Sequence, residues 1–258
     1  MAVALKFFSA FTLVLSFGCA SATNIKPEPK PAQSRPAFQV ASDAVAKVID
    51  DGIEPDPDIE RQLAPFREEI QAFSQRVVGR LLGPLTRGKP QSSLGNFVAD
   101  AMLAQTRLQA GRNVDFCFTN QGGLRVDLPQ GELTAGQVAE VMPFDNSVVI
   151  FSAKGQQVQN ILNRIAQRGD PISGMSYTMP GEQFQIQGTP FDIHQTYEIC
   201  TNDYVFGGGS NYPIDASVQA VYTGLLLRDL IEAAFLDNLG QAGGVTPYLD
   251  DRVVEGGG

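Results

Sequence analysis

The spacing of apolar positions changes from block to block along the chain, and each spacing predicts an element. Leu63, Phe66, Ile70 and Phe73 recur at three and four residues, which predicts a helix with one face able to pack, ahead of a strand-like run over 77–82. Ser92 or Ser93 can then cap a second helix. Its stripe is Phe97, Ala101, Ala104 and Leu108, widened by Val98 and Met102. Val114, Phe116 and Phe118 alternate with Asp115 and Cys117 as in a half-buried strand, and 147–153 reads as a strand buried on both faces. A helix over 155–167 buries Val158, Ile161, Leu162 and Ile165. Strands are expected at 175–179, 183–187 and 196–201, and a last helix carries Leu227, Leu230, Ile231 and Ala234. Helices and strands mix without strict alternation, which predicts an α/β body of the mixed α+β kind with mixed sheet order and no internal repeat.

The first 22 residues break this pattern: a lone Lys6 precedes an apolar run that ends at the small residues Ala20, Ser21 and Ala22. This has the form of an export signal, and the run is shorter than the roughly 20 residues a permanent span needs. Cys19 follows Leu15, Ser16, Phe17 and Gly18 in the manner of a bacterial lipoprotein box, so lipidation at Cys19 and simple cleavage after Ala22 both stand open. Pro27, Pro29, Pro31 and Pro36 lie among Lys, Gln and Ser, a composition that stays extended and solvated. The expected organisation is a signal over 1–22, a tether and linker over 23–60, a folded body over 61–240 and a tail over 241–258.

With 258 residues, 43% of them hydrophobic, the chain can build one good core. Its formal charge of -9 argues against nonspecific grip on nucleic acid, while a single nucleotide in a local pocket remains compatible. Cys117 and Cys200 are the cysteines left in the body, and pairing or burial as free thiols are both open. The sole histidine, His194, sits in a polar stretch between expected strands and reads as a surface turn residue. Neither a Ser-His-Asp set nor a zinc spacing is present, and no cofactor is expected in this chain.

Three loops that follow strands or join strand to helix are the candidates for chemistry. In 120–125, Gly122 and Gly123 let backbone N–H groups approach an anion or sugar, and Arg125 supplies a planar fork for phosphate or carboxylate. In 142–146, Pro143 presents Phe144 at a tip, where a ring can stack on a base. In 202–212, Tyr204 precedes Gly207, Gly208 and Gly209 and can close an aromatic clamp from the other side. The blander alternatives are an ordinary Gly-Gly turn and two core aromatics.

Taken together, these segments resemble the C-terminal domain of the 5'-nucleotidase family over about 63–236. The run from Ser93 to Met102 is similar to its "LGNLVADAM" helix, and Asn120 to Arg125 to its "NGGIR" loop. Gly131 to Thr134 followed by Met142 to Asn146 is similar to "G-x-I-T" followed by "LPFGN", and 201–212 to "TNDFLAxGGDGY". The resemblance implies that family's layered sandwich with a mixed sheet and a site for the nucleoside part of a nucleotide. Phe144 and Tyr204 would sandwich the base, Asn120, Gly122 and Arg125 would contact substrate, and Asn202 would support the base. Gly123, Gly208 and Ser210 complete the implied set of substrate-binding positions. Two departures stand out: Ser210 replaces the ribose-binding aspartate, and Gln91 the glutamate before the first helix, with Arg87 and Lys89 only approximating an upstream arginine. The family's hydrolysis uses two divalent metals in a separate N-terminal domain, which this sequence is expected to lack. The expectation is a nucleotide-recognising half of a phosphohydrolase in nucleotide catabolism, its metals held by a separately encoded metallophosphoesterase partner. The alternative is a non-catalytic envelope protein that binds nucleotides or nucleosides. Either would be exported to a bacterial periplasm or cell envelope, touching membrane only through a lipid on Cys19.

Overall fold

The computed structural model of the chain describes residues 50, 52–180, 182–215 and 217–256. The export signal, Cys19 and most of the tether lie outside the described residues. From Pro55 onward the chain forms one unit. Its first element, α1 (Pro57–Ser74), takes in the end of the expected linker: the Asp56 carboxylate accepts the Asp58 and Ile59 N–H groups, and Pro57 occupies the first turn. None of its residues is buried, and Phe66 and Ile70 are 62% and 64% exposed. The expectation that this face packs is therefore corrected. Spacing makes a helix amphipathic, but a partner surface must exist before the stripe can bury.

Strand β1 (Val77–Leu81) leads to α2 (Ser93–Ala110), where Ser92 is the cap, accepting the Gly95 N–H at 3.1 Å. Ala104 and Leu108, expected in its packed stripe, are exposed. The buried side instead runs through Leu94, Val98, Met102 and Gln105, with Phe97 and Ala101 beside it. The helix is enclosed at its start by neighbours on several sides and emerges toward solvent at its end. Next come β2 (Phe116–Phe118), β3 (Gly131–Thr134), α3 (Ala135–Val141), β4 (Ser147–Lys154), α4 (Gln156–Arg168), β5 (Ile172–Ser173), β6 (Met175–Met179), β7 (Glu182–Ile186), β8 (Thr189–Pro190) and β9 (Thr196–Asn202). The chain closes with α5 (Asp203–Phe206), β10 (Ala220–Leu226), α6 (Leu227–Ala242) and β11 (Val253–Glu255).

A mixed five-stranded sheet, ordered β10-β4-β9-β2-β5, lies at the centre, with β2 and β9 parallel and the other neighbours antiparallel. One face packs Cys117, Val148, Ile150 and Cys200 against α2, α3 and α6. The other packs Phe116, Phe118, Phe151 and Ile199 against α4 and the sheet β11-β6-β7-β8. β2 is thus buried on both faces rather than half-buried, because a central strand between two layers has no solvent side. Cys117 and Cys200 sit opposite each other on the β2/β9 pair with Cα atoms 4.6 Å apart and are joined as a disulfide.

The stretch expected as a tail is part of the body. Val245 is buried, pairing with the Arg80 carbonyl and the Leu82 N–H at 2.8 Å each, and β11 adds to β6 in parallel. Arg252 binds both Asp100 on α2 and Asp250; burial opposes its charge, but these carboxylates outweigh burial and raise its pKa. Such pairings join distant segments and leave no local periodicity to read.

Candidate functional site

Strand direction gathers the three loops. Because β2 and β9 are parallel, the loop after β2 and the loop after β9 leave the same end of the sheet. β4 is antiparallel to β9, so the segment entering β4 arrives at that end too. A capping box sets up this entry: the Thr134 hydroxyl accepts the Gln137 N–H while the Gln137 side chain accepts the Thr134 N–H, starting α3, after which residues 142–146 run into β4. The carboxyl ends of sheet strands are the usual place for ligands in α/β proteins.

Side chains then bolt the loops together. Asn202 is buried; its amide donates to Asn120 Oδ1 at 3.0 Å and to Thr119 Oγ1 at 2.8 Å, and its oxygen accepts the Val205 N–H to start α5. The neighbouring Asp203 accepts from Asn146 Nδ2 at 2.7 Å, Ser147 N–H at 3.1 Å and Ser147 Oγ at 2.9 Å. Burial pushes the Asp203 carboxyl up, and these donors outweigh it, so its pKa lies below the ordinary carboxylate value. The Arg125 N–H reaches the Val141 carbonyl at 2.9 Å, tying the first loop to the end of α3.

The result is a cleft of about 760 Å³ lined by Asn120, Gly122, Gly123, Arg125, Phe144, Tyr204 and Ser210, with Pro143, Asp145 and Asn146 completing the wall. Phe144 and Tyr204 are 43% and 53% exposed, so neither is a core aromatic. A β-carbon on Gly209 would collide with the Tyr204 carbonyl oxygen and meet its ring Cε1 at 2.5 Å, so glycine there lets both the backbone turn and the ring close against the loop. Gly122 and Gly123 have no positive φ, and an added β-carbon would make only ordinary contact with Asn120. Backbone geometry does not explain that pair. Gly208 takes φ +99°, where a side chain is strained, and Ser210 and Asn211 also adopt positive φ.

Asn202 and Gly208, both predicted as binding positions, do not line the cleft. Asn202 sits behind it holding Asn120, and Gly208 shapes the turn before Ser210. Residues not singled out individually from the sequence include Asp203, whose place after Asn202 at a helix start was the available signal, and Asp145, which pairs with Arg228. A second groove of about 610 Å³ adjoins the cleft, sharing Gly122 and Arg125, and adds Arg87, Lys89 and Arg168. Arg87 pairs with Asp127 and Arg168 with Asp170. The Arg125 guanidinium donates to the Gly122 carbonyl at 3.1 Å and forms no ion pair with a described carboxylate.

A dimetal centre does not fit these residues. Among the described residues no three His, Cys, Asp or Glu side chains gather as a metal site. His194 is exposed, its N–H closing a turn on Asp192. No described helix is long and apolar enough to cross a membrane.

Comparisons with known proteins agree with this architecture. The chain is 28% identical over 191 residues to the trifunctional nucleotide phosphoesterase protein YfkN of Bacillus subtilis, covering 64% of this chain and 13% of that one. It is 29% identical over 189 residues to protein UshA of Yersinia enterocolitica, covering 69% and 34%. The chain therefore spans only 13% and 34% of the length of these two relatives. Among solved structures, the 5'-nucleotidase precursor of Thermus thermophilus shares the fold with a TM-score of 0.65 and 24% identity, covering 78% of this chain and 44% of that one. The model of the 5'-nucleotidase C-terminal domain matches residues 77–216, the stretch that builds all three loops and every strand of the central sheet except β10, and the chain belongs to that family.

Proposed function

We propose that this cleft recognises the nucleoside part of a nucleotide, as one half of a 5'-nucleotidase-type phosphohydrolase in nucleotide catabolism. The observation that carries the reading is the placement of two exposed rings, Phe144 and Tyr204, from different loops in one cleft beside Arg125, which forms no ion pair with a described carboxylate. Two rings sandwich a planar base, and the guanidinium fork suits a phosphate oxygen pair. The volume is that of an ordinary small-ligand site. In this reading the divalent metals that polarise the phosphoryl group and generate the attacking hydroxide belong to a metallophosphoesterase partner. Export to the cell envelope is part of the same proposal.

The second reading, a binding protein without catalysis, is favoured by Ser210, a neutral hydroxyl where an aspartate would hold the ribose. Calorimetric titration with AMP and a UDP-sugar, alongside phosphate release with added manganese or zinc, tests both. Binding without turnover that is lost in Phe144→Ala and Tyr204→Ala supports the cleft. Wild-type affinity in both variants sinks it. Turnover that appears only when a metallophosphoesterase chain is added separates the first reading from the second.

A further inference from the structure

Behind the cleft lies a carboxylate that none of the motifs includes. Asp170 follows Gly169, the left-handed glycine that stops α4, and is separated from β5 by Pro171 alone. Its side chain is fully buried. One oxygen, Oδ1, accepts the Gln121 N–H at 2.9 Å, at the start of the 3-10 turn that carries Gly122 and Gly123. The other, Oδ2, accepts the Tyr212 hydroxyl at 2.8 Å and Arg168 Nε at 2.5 Å. Tyr212 directly follows the turn Gly209–Asn211 that carries Ser210, and its ring packs on Phe118 with centroids 4.7 Å apart. Arg164 Nη2 also donates to the Ser210 carbonyl at 3.2 Å.

We infer that Asp170 is a positioning residue, a buried latch whose two oxygens hold opposite walls of the cleft, the glycine wall of the first loop and the Ser210 wall of the third, at a fixed separation. A carboxylate is suited to this because both of its oxygens only accept, and every group around it donates. Arg168 supplies the countercharge through an ion pair with the same oxygen. An amide of the same shape cannot substitute. Turned one way, its NH2 faces the Gln121 N–H; turned the other, it faces Arg168. The latch acts on ligand affinity through wall spacing, and that consequence rests on the nucleotide reading of the cleft; the latch itself does not.

Hydrogen–deuterium exchange on the ligand-free protein, comparing wild type with Asp170→Ala and Tyr212→Phe, tests the latch directly. Hydrogen bonds to charged groups are strong enough that Asp170→Ala, which removes both acceptor oxygens, should raise exchange about tenfold or more in both 119–125 and 207–213, with β4 and β9 unchanged. Tyr212→Phe keeps the ring on Phe118 and should loosen 207–213 alone. The inference is overturned if Asp170→Ala loosens one segment or neither, if β4 and β9 loosen in parallel, or, should that variant not fold, if Tyr212→Phe leaves 207–213 as slow as wild type. Calorimetry with AMP and adenosine supplies the second arm. The ratio of adenosine Kd to AMP Kd, which reports the Arg125 wall relative to the ring clamp, should fall about tenfold in Asp170→Ala. Parallel weakening of both ligands would instead mean a general structural role. A wild type that binds neither ligand refutes the nucleotide reading, and the exchange arm still decides the latch.

Discussion

Replacing Tyr204 with alanine separates ligand recognition from folding more cleanly than any other change in the cleft. The ring is 53% exposed and lies over Gly209, so its removal opens no cavity in either core cluster. Substitutions at such positions usually shift stability by no more than about 0.5 kcal/mol. Stacking of one base on one aromatic ring is worth about 1–3 kcal/mol when tested by alanine. At about 1.4 kcal/mol per decade, Tyr204→Ala should weaken AMP binding roughly 5- to 150-fold, while Tyr204→Phe, which keeps the ring face, should stay within about twofold. Calorimetric titration gives the affinity, and a urea transition of the same protein gives the stability. Unchanged affinity in the alanine variant would refute the clamp. An affinity loss matched by a stability loss of several kcal/mol would refute the claim that the ring is free of the core.

Three further outcomes follow from the same geometry. Gly209→Ala places a β-carbon against both the Tyr204 carbonyl oxygen and its ring, so turn and ring must both shift; it should weaken AMP binding at least about fivefold and lower the urea midpoint, and unchanged affinity and midpoint would show that the loop has room to move. Asp203 has a lowered folded-state pKa, so its stabilisation is complete above the unfolded value near 3.8 and is lost as pH falls through the folded value. Urea stability of wild type should therefore exceed that of Asp203→Asn by about 1–3 kcal/mol at pH 7, a gap that closes in strong acid; a gap independent of pH would contradict the assignment. Reducing the Cys117–Cys200 bond releases a loop with a sequence separation of 83, which the chain-entropy model values at about 4.5 kcal/mol. Denaturation with and without reductant should reveal most of that difference, and a loss below about 1 kcal/mol would show that the sheet holds the strands without the bond.

Much of the fold was legible in the chain because burial imposes period on sequence. α4 is the clearest case: Val158, Ile161, Leu162 and Ile165 are all buried, as their spacing predicts. The same rule failed for α1, and for Ala104 and Leu108 on α2. Period reports that a helix has an apolar side, while only the surrounding elements determine whether anything covers it. In the cleft, Asn120, Arg125, Phe144, Tyr204 and Ser210 were recognisable in motifs because their neighbours are turn-forming glycines and prolines.

What the sequence by itself determined is therefore the local grammar: a cap at Ser92 or Ser93, the helical period over 155–167, and which loops carry the rings Phe144 and Tyr204 and the guanidinium of Arg125. Tertiary structure alone decided that β2 and β9 run parallel with β4 opposed, which brings three loops from across the chain to one sheet end. It also decided that Asn202 works from behind, that residues after Ala242 close onto the body, and that Asp170 reaches two walls at once. These are contacts between residues tens of positions apart. Each depends on how separate elements pack, and packing leaves no periodic trace in the residues that meet.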